Sequence, residues 1–148
     1  MTDIPSTAVQ MVCQSCQALN RLPKARLEDQ PVCGKCHEKL FQQKPVELNQ
    51  SNFNRFISKN ALPVVVDFWA PWCGPCKSMA PGYAQAAAEL EPSVILAKLD
   101  TEQAQQLAAQ YNIRSIPTLI LFKEGKEIDR VSGALPKQQL INWIKKNQ

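Results

Sequence analysis

Val64-Val65-Val66-Asp67-Phe68-Trp69-Ala70-Pro71-Trp72-Cys73-Gly74-Pro75-Cys76 carries most of what the sequence says about architecture. Residues 63–70 are apolar at successive positions, so both faces of an extended segment there would be buried, as in a central parallel strand. Asp67 is the interruption. A helix is expected from about Gly74 to Leu90. Pro75 suits its first turn, where an N–H would have no partner anyway, and Pro81 falls in its interior and should kink it.

Working outward, Val94–Leu99 reads as a second strand, and Asp100 or Thr101 as the cap of a helix reaching about Gln110. Thr118–Lys123 and Lys126–Val131 flank Glu124-Gly125 as a β-hairpin. Pro136 and Lys137 open a last helix with Leu140, Ile141 and Ile144 on one side. Upstream, Ser51 or Asn52 can cap a helix carrying Phe53, Phe56 and Ile57, with a short strand near Val46–Leu48. The order α-β-α-β-α-β-β-α implies a mixed central sheet with helices on both faces, an α/β fold.

The 148 residues suffice for one domain with a small appendage, and the cysteines place the appendage first. All six stand in Cys-x-x-Cys pairs, four of them before residue 45. Residues 1–12 lack a clear period and read as an exposed lead-in. Gln42-Gln43-Lys44-Pro45 reads as a linker, giving an N-terminal domain over 1–45 and a second over 46–148. Residues 13–40 hold too few large apolar side chains to offset chain entropy unaided, so a metal or disulfides must order them. Cys13 and Cys16, then Cys33 and Cys36 sixteen residues on, have the spacing of a four-cysteine zinc site. Gly34 permits a strained turn within the second pair. Four protein ligands leave no position for water, so one structural zinc ion is expected. Two disulfides or an iron–sulfur cluster are the rivals. His37, beside Cys36, reads as an exposed neighbour rather than a ligand.

Charge excludes some functions. The net +4 is shared equally between the two segments, without a run of like sign. Four thiolates and a divalent ion would leave the first segment near neutral, which argues against a nucleic-acid surface. No stretch has the length of a membrane span. Met1-Thr2-Asp3-Ile4-Pro5-Ser6-Thr7 lacks the basic and apolar regions of a secretion signal. The expectation is a cytoplasmic protein, where structural disulfides are unfavoured and zinc is the better use of the first four cysteines.

Cys73 falls at a helix start and Cys76 one turn in. Helical spacing places their Cβ atoms about 5–6 Å apart, and a disulfide needs about 3.8 Å, so closure asks for little movement. The unpaired N–H groups of the helix start favour a thiolate at Cys73. A reactive thiolate with a second thiol one turn away suits thiol–disulfide exchange. Half a zinc site, or two ordinary buried cysteines, are the plainer alternatives. Asp67, inside an apolar strand, should be buried with a raised pKa, and a hydrogen-bonded structural carboxylate is its plainer reading. Lys98 reads as a solvated charge near a strand end. Residues 46–148 contain no histidine, which excludes a Cys–His hydrolase. Without a Gly-x-Gly-x-x-Gly fingerprint, electrons must come from another protein.

Residues 46–148 resemble the thioredoxin family. Trp72-Cys73-Gly74-Pro75-Cys76 reproduces that family's active-site motif, and Asp67, Trp69, Pro81, Lys98, Pro117, Gly125 and Gly133 fall where the family has its equivalents. The resemblance implies a thioredoxin fold and a protein-disulfide reductase. It makes Asp67 a buried general base for Cys76, with Lys98 paired to it beneath the site. Ile116-Pro117 would be a cis-proline step against Cys73, with residue 116 bonding the substrate backbone. Trp72, Gly74, Pro75, Ile116, Pro117, Gly133 and Ala134 would form the docking groove, although for Gly133-Ala134 a plain turn is the alternative. Ser115 departs from the family's usual glycine and places a hydroxyl near that groove.

The implied partners are an NADPH-dependent thioredoxin reductase and disulfide-containing target proteins, served by a monomer with no organic cofactor. With its cysteine-rich extension the chain resembles the zinc-binding bacterial thioredoxin 2 type, which is linked to oxidative stress. One expectation is a sensor, in which oxidation of the four thiolates ejects zinc and unfolds residues 1–45; a permanently metallated cap is the bland alternative. A zinc-ribbon interaction or chaperone module on a thioredoxin scaffold is the competing reading. Loss of reduction in Cys73→Ser with partner binding intact would favour that competitor.

Overall fold

The computed structural model describes residues 8–148, and the elements follow the hydrophobic periods closely. In chain order they are β1 (Ala8–Val12), β2 (Leu19–Pro23), β3 (Val46–Leu48), α1 (Phe53–Lys59), β4 (Val64–Trp69) and α2 (Gly74–Leu90). Then come β5 (Ile95–Asp100), α3 (Gln105–Gln110), β6 (Thr118–Lys123), β7 (Lys126–Ser132) and α4 (Lys137–Lys146). The main sheet has the order β3-β5-β4-β6-β7. β3 and β4 run parallel to β5, whereas β6 is antiparallel to β4 and β7 to β6. β4 is therefore central, which explains its continuous burial from Val64 to Phe68.

The two faces of β4 divide the core. Val64, Val66 and Phe68 pack with Phe53, Phe56 and Ile57 of α1 and Leu107 of α3. Val65, one pleat over, packs with Met79, Tyr83 and Ala86 of α2 and with Leu140 and Ile144 of α4. Asp67 is on the pleat of Val65, so the strand aims its one carboxylate toward the side that α2 covers. The β6–β7 turn uses Glu124 and Gly125, both at positive φ (50° and 86°), as a two-residue hairpin demands.

Several expectations need correction. The exposed lead-in is one: residues 1–7 lie outside the described residues, but residues 8–12 form β1, with Val9, Met11 and Val12 buried. The period was hidden because four of the five residues are apolar, with only Gln10 between them. β1 and β2 make an antiparallel ribbon, and β1 docks on the end of α1. Val12 N–H donates to Asn60 Oδ1 (3.1 Å), Ala61 N–H to the Gln10 carbonyl (2.9 Å), and Gln10 Nε2–H to the Lys59 carbonyl (2.9 Å). Met11, Val12, Leu40 and Phe41 share one apolar cluster with Phe53, Phe56 and Ile57. The expected linker is also fastened, since Gln43 N–H donates to Glu91 Oε1 (2.9 Å).

Helix capping differs in two places. No side-chain bond from Asn52 caps α1; Asn49 Oδ1 instead accepts from the N–H groups of Ser51 (2.9 Å) and Asn52 (3.0 Å). α3 begins at Gln105, not after Asp100, because Asp100 Oδ1 accepts from Glu102 N–H and stabilises a separate turn.

Candidate active site and metal centre

β4 ends at Trp69, and the chain turns through Ala70–Trp72 into α2, with Cys73 as N-cap. Cys73 Sγ accepts from Cys76 N–H (3.2 Å), so one of the unpaired amides of the helix start is spent on the sulfur. Pro75, in the first turn, has no N–H to lose. Cys73 and Cys76 are joined as a disulfide, with Cα atoms 5.3 Å apart. Both are almost wholly buried, although Trp72 before them is 66% exposed. Ile116-Pro117 is a cis peptide bond, and the Ile116 carbonyl lies 3.7 Å from Cys73 Sγ. Ala70, Cys73 and Cys76 form a small buried cluster against Trp69 and Ile116. The sulfur pair is thus closed off on most sides and approached past Trp72 and Ile116.

Asp67 is 2% exposed, and burial pushes its pKa up to about 7 against the pull of Lys98. Its Oδ1 has no hydrogen-bond partner among the described residues. The expected Asp67–Lys98 ion pair is not made. The two residues are opposite in the β4–β5 register, but Lys98 Nζ sits 4.1 Å from the centre of the Trp69 ring. Laying the ammonium on the half-buried indole spares it the desolvation that contact with a buried carboxylate would require.

The docking residues converge in part. A groove of about 410 Å³ is lined by Trp72, Thr101, Gln105, Ala109, Ile113 and Ile116, together with the exposed Arg114 and Ser115. Of the expected docking residues only Trp72 and Ile116 line it; Gly74, Pro75 and Pro117 do not, nor do Gly133 and Ala134, which follow β7, with Gly133 N–H donating to the Pro117 carbonyl (2.8 Å). Gly133 has φ +102°, a conformation that favours glycine. Three polar residues escaped the sequence reading. Thr118 is buried with its hydroxyl 2.6 Å from the Ser115 carbonyl. Asn60 is wholly buried, and Tyr83 donates its hydroxyl chiefly to the Ala97 carbonyl (2.7 Å). Thr118 looks like any strand residue in sequence, and a tyrosine at a core position of α2 has the spacing of an ordinary apolar one.

The four N-terminal cysteines converge. The Sγ atoms of Cys13, Cys16, Cys33 and Cys36 all lie within 4.8 Å of one another, with Cys13–Cys36 and Cys16–Cys33 at 3.6 Å. A tetrahedral ion with metal–sulfur bonds of about 2.3 Å needs edges of about 3.8 Å, so the donor set fits a metal. N–H groups support it: Ser15 donates to Cys13 Sγ (3.3 Å), and Lys35 and Asn20 Nδ2 to Cys33 Sγ (3.4 Å each). The N–H groups of Cys36, Asn20 and Lys35 hold the Cys33 thiol down at about 6 despite burial. At Cys36 the Glu38 N–H favours the thiolate, but burial and the three neighbouring sulfurs push it up to about 12. Four thiolates this close need a cation among them. His37 is exposed and outside the cluster.

A cysteine pair closed as a disulfide at a helix start, beside a cis-proline and following a strand that carries a buried carboxylate, defines a thiol–disulfide oxidoreductase. Comparison with known proteins agrees. Residues 44–146 match the family model described as thioredoxin, and residues 12–38 the model described as thioredoxin 2, N-terminal. The chain is 50% identical to thioredoxin C-3 of Corynebacterium nephridii over 134 residues, 90% of this chain and 92% of that one. It is 45% identical to the chloroplastic M-type thioredoxin of Spinacia oleracea over 100 residues, 68% of this chain and 55% of that one. It is 44% identical to the thioredoxin of Pyropia yezoensis over 100 residues, 68% of this chain and 94% of that one. The chain belongs to the thioredoxin family, as a disulfide reductase with a zinc-ribbon-like N-terminal segment.

Proposed function

We propose that Cys73 is the attacking thiolate and Cys76 the resolving thiol of a protein-disulfide reductase working through a helix-start dithiol. The observation that carries this assignment is the N–H of Cys76 aimed at Cys73 Sγ. Cys73 thiolate attacks one sulfur of a target disulfide, forming a mixed disulfide and expelling the other sulfur as thiolate, which takes up a proton. Cys76, its proton passed to Asp67, attacks Cys73 Sγ; the Cys73–Cys76 bond forms and the target leaves with both sulfurs reduced. Asp67, ionising near pH 7, suits the task of base. Lys98 acts from its place on Trp69, easing ionisation of Asp67 without contact. Trp72, Gly74, Pro75, Ile116 and Pro117 make the target-facing surface, with Gly133 and Ala134 at its far rim.

We assign the ion of the four-cysteine cluster as zinc, on the all-sulfur tetrahedral donor set. Bound there, it supplies folding energy and neutralises the thiolates. Residues 1–45 and 46–148 are then two units by chemistry, although they share apolar contacts. By its likeness to the thioredoxin family, an NADPH-dependent thioredoxin reductase is the proposed electron source. Among the described residues no helix is long and apolar enough to cross a membrane. Cytoplasmic residence and a role under oxidative stress fit a chain that carries both a reducing dithiol and a thiolate-bound metal. A Cys76→Ser variant incubated with cell protein should accumulate target adducts that dithiothreitol releases. Absence of such adducts would contradict the cycle.

A further inference from the structure

We propose that Thr118 and Ser132 are positioning residues that hold the Ile116 backbone for pairing with a target polypeptide, and so favour protein disulfides over small ones. Thr118 follows the cis-proline and is 2% exposed. Its hydroxyl contacts two oxygens: the Ser115 carbonyl at 2.6 Å and Ser132 Oγ at 3.3 Å. A carbonyl can only accept and a hydroxyl has one proton, so Thr118 donates to Ser115 and Ser132 must donate to Thr118. The relay runs Ser132 O–H to Thr118 O–H to Ser115 carbonyl. Thr118 and Ser132 are direct partners in the β6–β7 register, so the relay fastens the loop before β6 to the end of β7.

The consequence falls on one peptide unit. The Ser115 carbonyl is held by Thr118 and the Pro117 carbonyl by Gly133 N–H at 2.8 Å. The carbonyl between them, of Ile116, is left beside Cys73 Sγ at 3.7 Å. Two anchors flank the one backbone group that faces the reactive sulfur, the arrangement needed to present it to an extended target segment. Without the relay the exposed Ser115 carbonyl can turn to water, and Ile116 loses its fixed direction. A disulfide too small to make backbone bonds is indifferent to this.

The proposal rests on the dithiol cycle above, and single-turnover oxidation of pre-reduced protein tests it. In Thr118→Val the half-saturating concentration of insulin should rise about fivefold, the factor expected for one lost neutral hydrogen bond, with the limiting rate nearly kept. Ser132→Ala, at an exposed strand end and safe for folding, should shift it the same way by a smaller factor. Thr118→Ser should restore the wild-type value, and the rate with hydroxyethyl disulfide should be unchanged in all three. An unchanged insulin half-saturation in both Thr118→Val and Ser132→Ala, or an equal fall with the small disulfide, would overturn the proposal. Failure of the wild-type protein to reduce the small disulfide would instead overturn the cycle itself.

Discussion

Asp67 shows what one misplaced residue type can reveal. A carboxylate inside an apolar strand announces its own burial in the sequence, and it is buried. Its pKa near 7 lies above the ordinary 3.8, so the folded chain binds more protons there than the unfolded chain between those values. Stability therefore falls as pH rises through that window, by on the order of 4 kcal/mol in total, and levels off above about pH 8. Asp67→Asn should be more stable than wild type by on the order of 2 kcal/mol at pH 8 and nearly equal at pH 4, as read by urea unfolding. The same variant should resolve mixed disulfides more slowly at pH 8. Lys98 was not legible in this way. Its register places it opposite Asp67, but whether a long side chain pairs or lies on an indole depends on the packing of Trp69, which the sequence does not encode locally.

At the scale of elements, patterns with a long-range apolar partner were readable and local polar chemistry was not. β4, α2 and the β6–β7 hairpin follow from periodicity and turn residues, because one buried face or one positive-φ turn dictates each. The start of α3 was misplaced because Asp100 satisfies its own loop instead of a helix end. β1 was missed because the helix end it docks on, at Asn60, is 48 residues away along the chain. Asn60 is the joint of that contact, accepting from Val12 N–H and donating to the Phe56 carbonyl (2.9 Å). Asn60→Ala leaves both backbone groups buried and unpaired, and should cost about 2 kcal/mol in a denaturant titration. Hydrogen exchange at Val12 should quicken in the variant. Unchanged stability and exchange would mean that β1 is held by its apolar side chains alone.

For the molecule as a whole, the metal segment is joined to the reductase by more than a tether. Met11, Val12, Leu40 and Phe41 cover part of the core that α1 builds, so order in the cysteine cluster supports the larger unit. Removing the ion with a chelator should loosen the β1–β2 ribbon and lower the melting midpoint by on the order of 5–10 °C. An unchanged midpoint would show the two units to be independent. The central claim is a division of labour among three Cys-x-x-Cys pairs: two hold an ion and the third carries electrons. Surroundings, not spacing, make that division, since the first two pairs face one another across a segment poor in apolar residues while the third stands between a buried strand and a helix start. The most direct test is a residue-resolved thiol map with zinc content, taken on native oxidised protein before and after thioredoxin reductase and NADPH. Only Cys73 and Cys76 should change state, with one zinc ion per chain throughout. Loss of zinc on reduction, or a change at Cys13, Cys16, Cys33 or Cys36, would contradict the account.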